Sequence, residues 1–204
     1  MTEKSKDQEM IAMLAQKLGQ PKRVLRCKYD EQFHLIELKL SALERPGLPE
    51  EIGQFGHLRS LHIRLSKLRH IPEEIGQLVY LERLHLDHNR LSELPESFWQ
   101  LRNLRYLHLD HNQITELPPA IGQLSNLRSL DLSANQLTYV PAEIGQLCYL
   151  RNLFLSQNQL TELPGEIGQI QSLLKLAVDG NPLIRLPETI GQLSRLQEIK
   201  LEDE

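Results

Sequence analysis

The chain has 204 residues, 40% of them hydrophobic, and a formal net charge of −4. That is apolar material enough for one continuous core, and too little positive charge for a nucleic-acid backbone. Apolar runs only a few residues long exclude a membrane-spanning helix, and the opening MTEKSKDQEMIAMLAQKLGQPKR lacks the apolar stretch of a secretory leader, so a soluble cytoplasmic protein is expected.

Near the N-terminus, Met10, Ile11, Leu14 and Leu18 fall at helical spacing, with Gly19 and Pro21 as stop signals, which predicts a helix over about residues 7–18. Its apolar stripe serves as a lid on the neighbouring core. RVLRCKY, YDEQ and HLIELKL then read as a strand, a turn and a second strand. Residues 1–34 form an N-terminal cap. Cys27 lies in that cap and Cys148 lies far downstream. Two thiols so placed give neither a disulfide framework nor a zinc spacing, and both are read as small buried hydrophobes.

From Leu35 onward the chain repeats itself every 23 residues. Leu-Pro-type dipeptides stand at Leu48-Pro49, Ile71-Pro72, Leu94-Pro95, Leu117-Pro118, Val140-Pro141, Leu163-Pro164 and Leu186-Pro187. Asn89, Asn112, Asn135, Asn158 and Asn181 keep the same step. The unit LxxLxLxxNxLxxLPxxIGQLxx starts at Leu35, Leu58, Leu81, Leu104, Leu127, Leu150 and Leu173, and a partial copy starts at Leu196. Residues 35–204 therefore hold seven full repeats and a partial last one.

Within LxxLxL, side chains alternate, so Leu84 and Leu86 point one way and Arg83, His85 and Asp87 the other. One unit cannot bury its own apolar face, and stacking makes the leucines a shared core. Each Asn stands where the chain leaves the strand, able to donate and accept at once between coils. Leu43 and Ser66 replace the first two asparagines, which weakens that ladder at the N-terminal end. Arg45 replaces a core leucine. Trp99 replaces the recurring glycine and is expected to widen one turn, with its indole lying on its neighbours.

The unit resembles the leucine-rich repeat family. Its LPxxIGQL variant is similar to the 23-residue repeats of bacterial leucine-rich proteins and of animal scaffolds that regulate Ras-type signalling. The resemblance implies an α/β fold: a curved solenoid with a parallel β-sheet on the concave side, short helical or irregular turns on the convex side, and a helical N-terminal cap. It implies a scaffold or adaptor role, or in a bacterium a host-directed effector.

The pentapeptide HLDHN occurs twice, at 85–89 and 108–112. Leu86 and Leu109 are core and the asparagines are ladder, which leaves His85, Asp87, His88, His108, Asp110 and His111 facing outward. His62 holds the matching position one unit earlier, so His62, His85 and His108 form a column with rungs about 4.8 Å apart. Arg64, Asp87 and Asp110 run beside it, Arg83 and Tyr106 flank the other side, and Asp131 and Phe154 continue it. This patch is expected to bind a protein partner, with Tyr106 and Phe154 as anchors and the ionisable residues setting orientation. Its histidines suggest a response between about pH 6 and 7.

No catalysis, cofactor, metal, nucleic acid or membrane is expected, because an open wall lacks a water-excluding pocket. A metal- or small-ligand-binding solenoid using the His62/His85/His108 column is one alternative. A recognition arm of a larger signalling or effector protein is another, although no G-x-x-x-x-G-K-[ST] phosphate loop occurs. A monomer is expected, with docking of two chains through the C-terminal end as the other state.

Overall fold

The computed structural model describes residues 6–19 and 25–201. Helix α1 spans Lys6–Lys17 and buries Met10, Leu14 and Ala15, with Leu18 just beyond its end and Ile11 packed at the margin. Gly19 ends it at φ 63, a left-handed turn that glycine adopts without strain; Pro21 lies outside the described residues. The cap is tied down by polar bonds. Asp7 Oδ2 accepts the Leu35 N–H at 2.6 Å, Lys17 pairs with Glu51, and the Arg45 guanidinium donates to the Lys17 carbonyl. The arginine that breaks the leucine pattern thus satisfies an orphan carbonyl at the helix end.

Strand β1 (Leu25–Tyr29) runs antiparallel to β2 (Leu35–Ser41). The turn between them closes on Asp30, whose carboxylate accepts the N–H groups of Gln32 and His34 at 2.9 Å each. From β2 onward every neighbour is parallel. Strands β3 (Ser60–Arg64), β4 (Arg83–His85), β5 (Tyr106–His108), β6 (Ser129–Asp131), β7 (Asn152–Phe154), β8 (Lys175–Ala177) and β9 (Glu198–Lys200) succeed one another in chain order across one nine-stranded sheet. Leu61, Leu84, Leu107, Leu130, Leu153 and Leu176 pair in register, which fixes the period-2 alternation along the whole sheet. Leu84 and Leu86 are 0% exposed, so the leucines face the core as the alternation requires.

The asparagine ladder is complete where asparagine is present. In the third of them, Asn135 Nδ2 donates to the carbonyls of Leu109 (2.9 Å), Leu132 (3.0 Å) and Ser133 (3.2 Å), while its Oδ1 accepts the Ile114 N–H at 3.0 Å. One amide thereby satisfies four backbone groups on two coils. Ser66 does less: its hydroxyl accepts the Leu43 N–H and donates to the Arg64 carbonyl. The ladder is weaker at that end, for the reason of hydrogen-bonding capacity read from the sequence.

On the convex side each coil makes a five-residue 3₁₀ turn that comes after a proline, as at Glu73–Gln77 after Pro72 and Ala142–Gln146 after Pro141. The recurring glycine serves close approach rather than unusual φ. A Cβ on Gly145 would lie 2.6 Å from the Glu166 carbonyl oxygen of the next coil. Trp99 takes that position in the turn Glu96–Gln100, and the next turn, Pro119–Gln123, touches it less than any other neighbouring pair of these turns touch. The indole is 4% exposed and meets Phe98 edge-on. A crevice of about 280 Å³ opens beside it, lined by Leu94, Ile114, Leu117 and Pro118 among others.

The expectation for the cysteines fails in part. Cys27 is half-buried, but Cys148 is exposed. It comes directly after Leu147 in the turn beyond the 3₁₀ segment, a position filled elsewhere by Arg102, Ser125 and Gln171. Its apolar character does not override a place in the coil that faces water. Among the described residues, no helix is long and apolar enough to cross a membrane.

Candidate recognition face

The parallel register assembles the column read from the sequence. His62, His85, His108, Asp131, Phe154 and Ala177 pair from strand to strand. The His62 and His85 rings stack at 4.3 Å, and those of His85 and His108 stand 4.4 Å apart and tilted. The His62 and His85 rings therefore lie face to face instead of converging their nitrogens on a common point. His62 Nε2 bonds the Ser60 hydroxyl at 2.8 Å. A second column flanks it through Ser60, Arg83, Tyr106, Ser129, Asn152 and Lys175, with Tyr106 37% exposed and Arg83 exposed.

On the opposite flank the residues are less alike than the sequence suggests. Arg64 is exposed and lies over Asp87, its Nε donating to Asp87 Oδ2 at 2.6 Å. Asp87 is consequently 1% exposed, a support beneath the wall rather than part of its outer surface. Asp110 and Asp131 are half-buried. Burial, then the neighbouring Asp131 and Asp87 carboxylates, push the Asp110 carboxyl above its ordinary value.

His88 and His111, read as facing outward, stand just past the strands in left-handed backbone, at φ 55 and 54. Leu65, Ala134, Gln157 and Gly180 occupy the same place in other coils, also with positive φ. This turn holds both imidazoles at the rim, exposed and 4.2 Å apart ring to ring.

Two members of the histidine column depart from the expected titration. Burial, then the neighbouring His108 and His62, depresses His85 to about 4. Burial and then Lys39 lower His62 as well. His85 therefore stays neutral across the range from about pH 6 to 7 in which an ordinary histidine changes charge.

Several residues of the face lie outside the sequence-based set. Lys39 pairs with His62 and begins the column one strand earlier, and Arg26 pairs with Lys39. With Ser41, Arg64 and His85 they line a hollow of about 510 Å³ at the N-terminal end. The 23-residue step back from His62 reaches Lys39 directly. A stack of His34, His57 and Tyr80 marks one edge of the solenoid, with ring spacings of 3.9 and 6.3 Å. The wall thus runs from a basic end (Arg26, Lys39, Arg64) through the histidine column to a pair of carboxylates (Asp110, Asp131) and the aromatic ring of Phe154.

Comparison with known proteins agrees with this architecture. The family model described as a leucine-rich repeat region matches residues 34–118, and a second, described as leucine rich repeat, matches 102–160 and 125–183. A leucine-rich repeat protein of Leptospira interrogans is 36% identical with a TM-score of 0.69, covering 80% of this chain and 48% of that one. The ectodomain of the Arabidopsis thaliana receptor kinase GASSHO1/SCHENGEN3, in complex with CASPARIAN STRIP INTEGRITY FACTOR 2, is 28% identical with a TM-score of 0.73, covering 82% and 21%. The plant peptide hormone receptor RGFR1, in complex with RGF2, is 27% identical with a TM-score of 0.68, covering 88% and 36%. The chain thus spans about half the length of the bacterial relative and less of the plant receptors. No curated protein matches it.

Proposed function

The chain belongs to the leucine-rich repeat family, and on that premise we propose that it is a scaffold or adaptor module whose concave wall binds a protein or peptide, without chemistry of its own. The observation that carries this is the register: two columns of polar and aromatic side chains mounted on a sheet whose other face is an unbroken leucine core. The wall's side chains are held by a framework that does not depend on them, so ordering it for binding costs little entropy. Two of the similar plant receptors are described in complex with a named factor or hormone, which supports a binding role. Absence of catalysis is argued from the openness of the wall, where solvent weakens any charge stabilisation. The cytoplasm as its compartment, and a single copy as its solution state, belong to the same proposal.

Tyr106 and Phe154 are the anchors, one on each column and two strands apart. Affinity capture with mass spectrometry supplies a partner, and calorimetry with that purified partner then tests the face. Tyr106→Ala with Phe154→Ala is expected to weaken binding by about 2–4 kcal/mol while leaving the melting temperature nearly unchanged. Unaltered affinity in the double variant would move the site off the concave wall.

A further inference from the structure

We propose that the concave wall also carries a binding site for a first-row divalent cation such as Zn²⁺, formed by Asp87, His88 and Asp110, with His108 and Asp131 reaching the same Asp110. The site goes beyond partner recognition and does not depend on it.

Geometry comes first. Asp87, His88 and Asp110 offer ligand atoms that all lie within 4.8 Å of one another, and His108, Asp110 and Asp131 do the same. His88 Nδ1 stands 3.3 Å from Asp87 Oδ2 and 3.9 Å from Asp110 Oδ2. Donors around a tetrahedral zinc, each at about 2.0–2.2 Å, are separated by roughly 3.3–3.6 Å. Side-chain adjustments alone close that difference. The left-handed backbone of His88 holds its imidazole beside the carboxylate of the preceding residue and that of the next coil.

Charge decides between a self-contained network and a cation site. Arg64 pairs with Asp87, but among the described residues neither Lys nor Arg pairs with Asp110 or Asp131. One guanidinium faces three carboxylates. Asp131 Oδ1 accepts the Ser133 N–H at 3.0 Å, and among the described residues no cationic side chain pairs with its carboxylate.

A second observation is independent of the clustering. The Asp87 side chain is 2% exposed, and its Oδ1 is buried with no hydrogen-bond partner among the described residues. A buried anionic oxygen left unpaired is costly. A cation held by this carboxylate offsets the negative charge that Oδ1 shares and carries without a partner. The Arg64 bond to Oδ2 then acts as an outer support that fixes the carboxylate's orientation. Imidazole with carboxylates selects zinc, nickel, cobalt or manganese over thiolate-seeking copper(I), and over calcium, which takes an all-oxygen shell.

Calorimetric titration of the full chain with zinc chloride tests the site. The expected result is one equivalent bound with micromolar affinity. Asp110→Asn and His88→Ala each weaken binding by about tenfold or more, the least that even an outer-shell loss costs, whereas His62→Ala leaves it unchanged. His88→Ala has a precedent in the fold, because Ala134 holds the same turn position at φ 53. Cobalt(II) gives a second readout, a visible absorption band that His88→Ala removes. Absence of zinc binding overturns the proposal, as does equal binding by wild type, Asp110→Asn and His88→Ala, which marks an adventitious ion only. Loss of binding in His62→Ala overturns it too, by placing the metal on the stacked column.

Discussion

Replacing Asn135 with alanine is expected to cost about 3–5 kcal/mol in unfolding free energy, measured by urea denaturation. The change removes the acceptor of the Ile114 N–H and the donor to the Leu109, Leu132 and Ser133 carbonyls. The Ile114 N–H is stranded, at about 1–3 kcal/mol. The Leu109, Leu132 and Ser133 carbonyls keep Asn112 Nδ2, Asn158 Nδ2 and the His111 N–H as donors and lose one bond each, about 0.7 kcal/mol apiece, which together give the range stated. Two companions sharpen the test. Asn135→Ser restores one donor and one acceptor, as Ser66 does naturally, and should recover about half of the loss by the same reckoning. Asn181→Ala should cost less than Asn135→Ala, because Asn181 is only partly buried near the C-terminal end. Equal costs for Asn135→Ala and Asn181→Ala would show that the ladder does not act through buried backbone groups.

The second large effect is on acid stability. Folding holds His85 at about 4, against an ordinary 6.5, through burial first and then His108 and His62, with Asp87 opposing and Arg64 adding to the shift. Above the ordinary value, His85 is neutral in both folded and unfolded chains and contributes no pH dependence. As pH falls from 6.5 towards 4 the unfolded chain takes up a proton that the folded one refuses, so stability falls. Once pH passes below the folded value the loss is complete. His62, lowered mainly by burial and by Lys39, adds in the same direction. With solvent screening on a half-buried ring taken into account, His85 alone should account for about 1–2 kcal/mol. His85→Phe keeps a ring in a column that already accommodates Phe154. Its stability should therefore decline less than wild type between neutral pH and the acid range. Parallel declines for the two proteins would mean that the histidine stack does not resist protonation.

How much of this was legible in the sequence varies from residue to residue. The 23-residue step located the strands, the leucine core, the asparagine ladder and the histidine column, because each depends on a periodic contact that selects one residue type. Trp99 was readable for the converse reason: a large ring where a glycine permits close approach must push coils apart. The left-handed turn at His88 and His111 was not readable. Leucine, alanine, glutamine and glycine all occupy that position in other coils, so backbone geometry there leaves no compositional trace. The burial of Asp87 was hidden as well, and so was its bond to Arg64 of the neighbouring coil. A strand pattern assigns a face and does not say what covers a residue on that face. Cys148 misled because a cysteine's usual preference was weighed without its place in the turn.

Everything assigned to the wall rests on one alternation, and cysteine labelling tests it most directly. Arg83→Cys, Leu84→Cys, His85→Cys and Leu86→Cys are each placed in a chain lacking Cys27, with exposed Cys148 kept as the internal reference. In native buffer the thiols at 83 and 85 should react with maleimide, the former nearly as fast as Cys148, while those at 84 and 86 react only once denaturant is added. Rapid native labelling at 84 and 86, with protection at 83 and 85, would turn the strands over and remove every side chain here assigned to the recognition face.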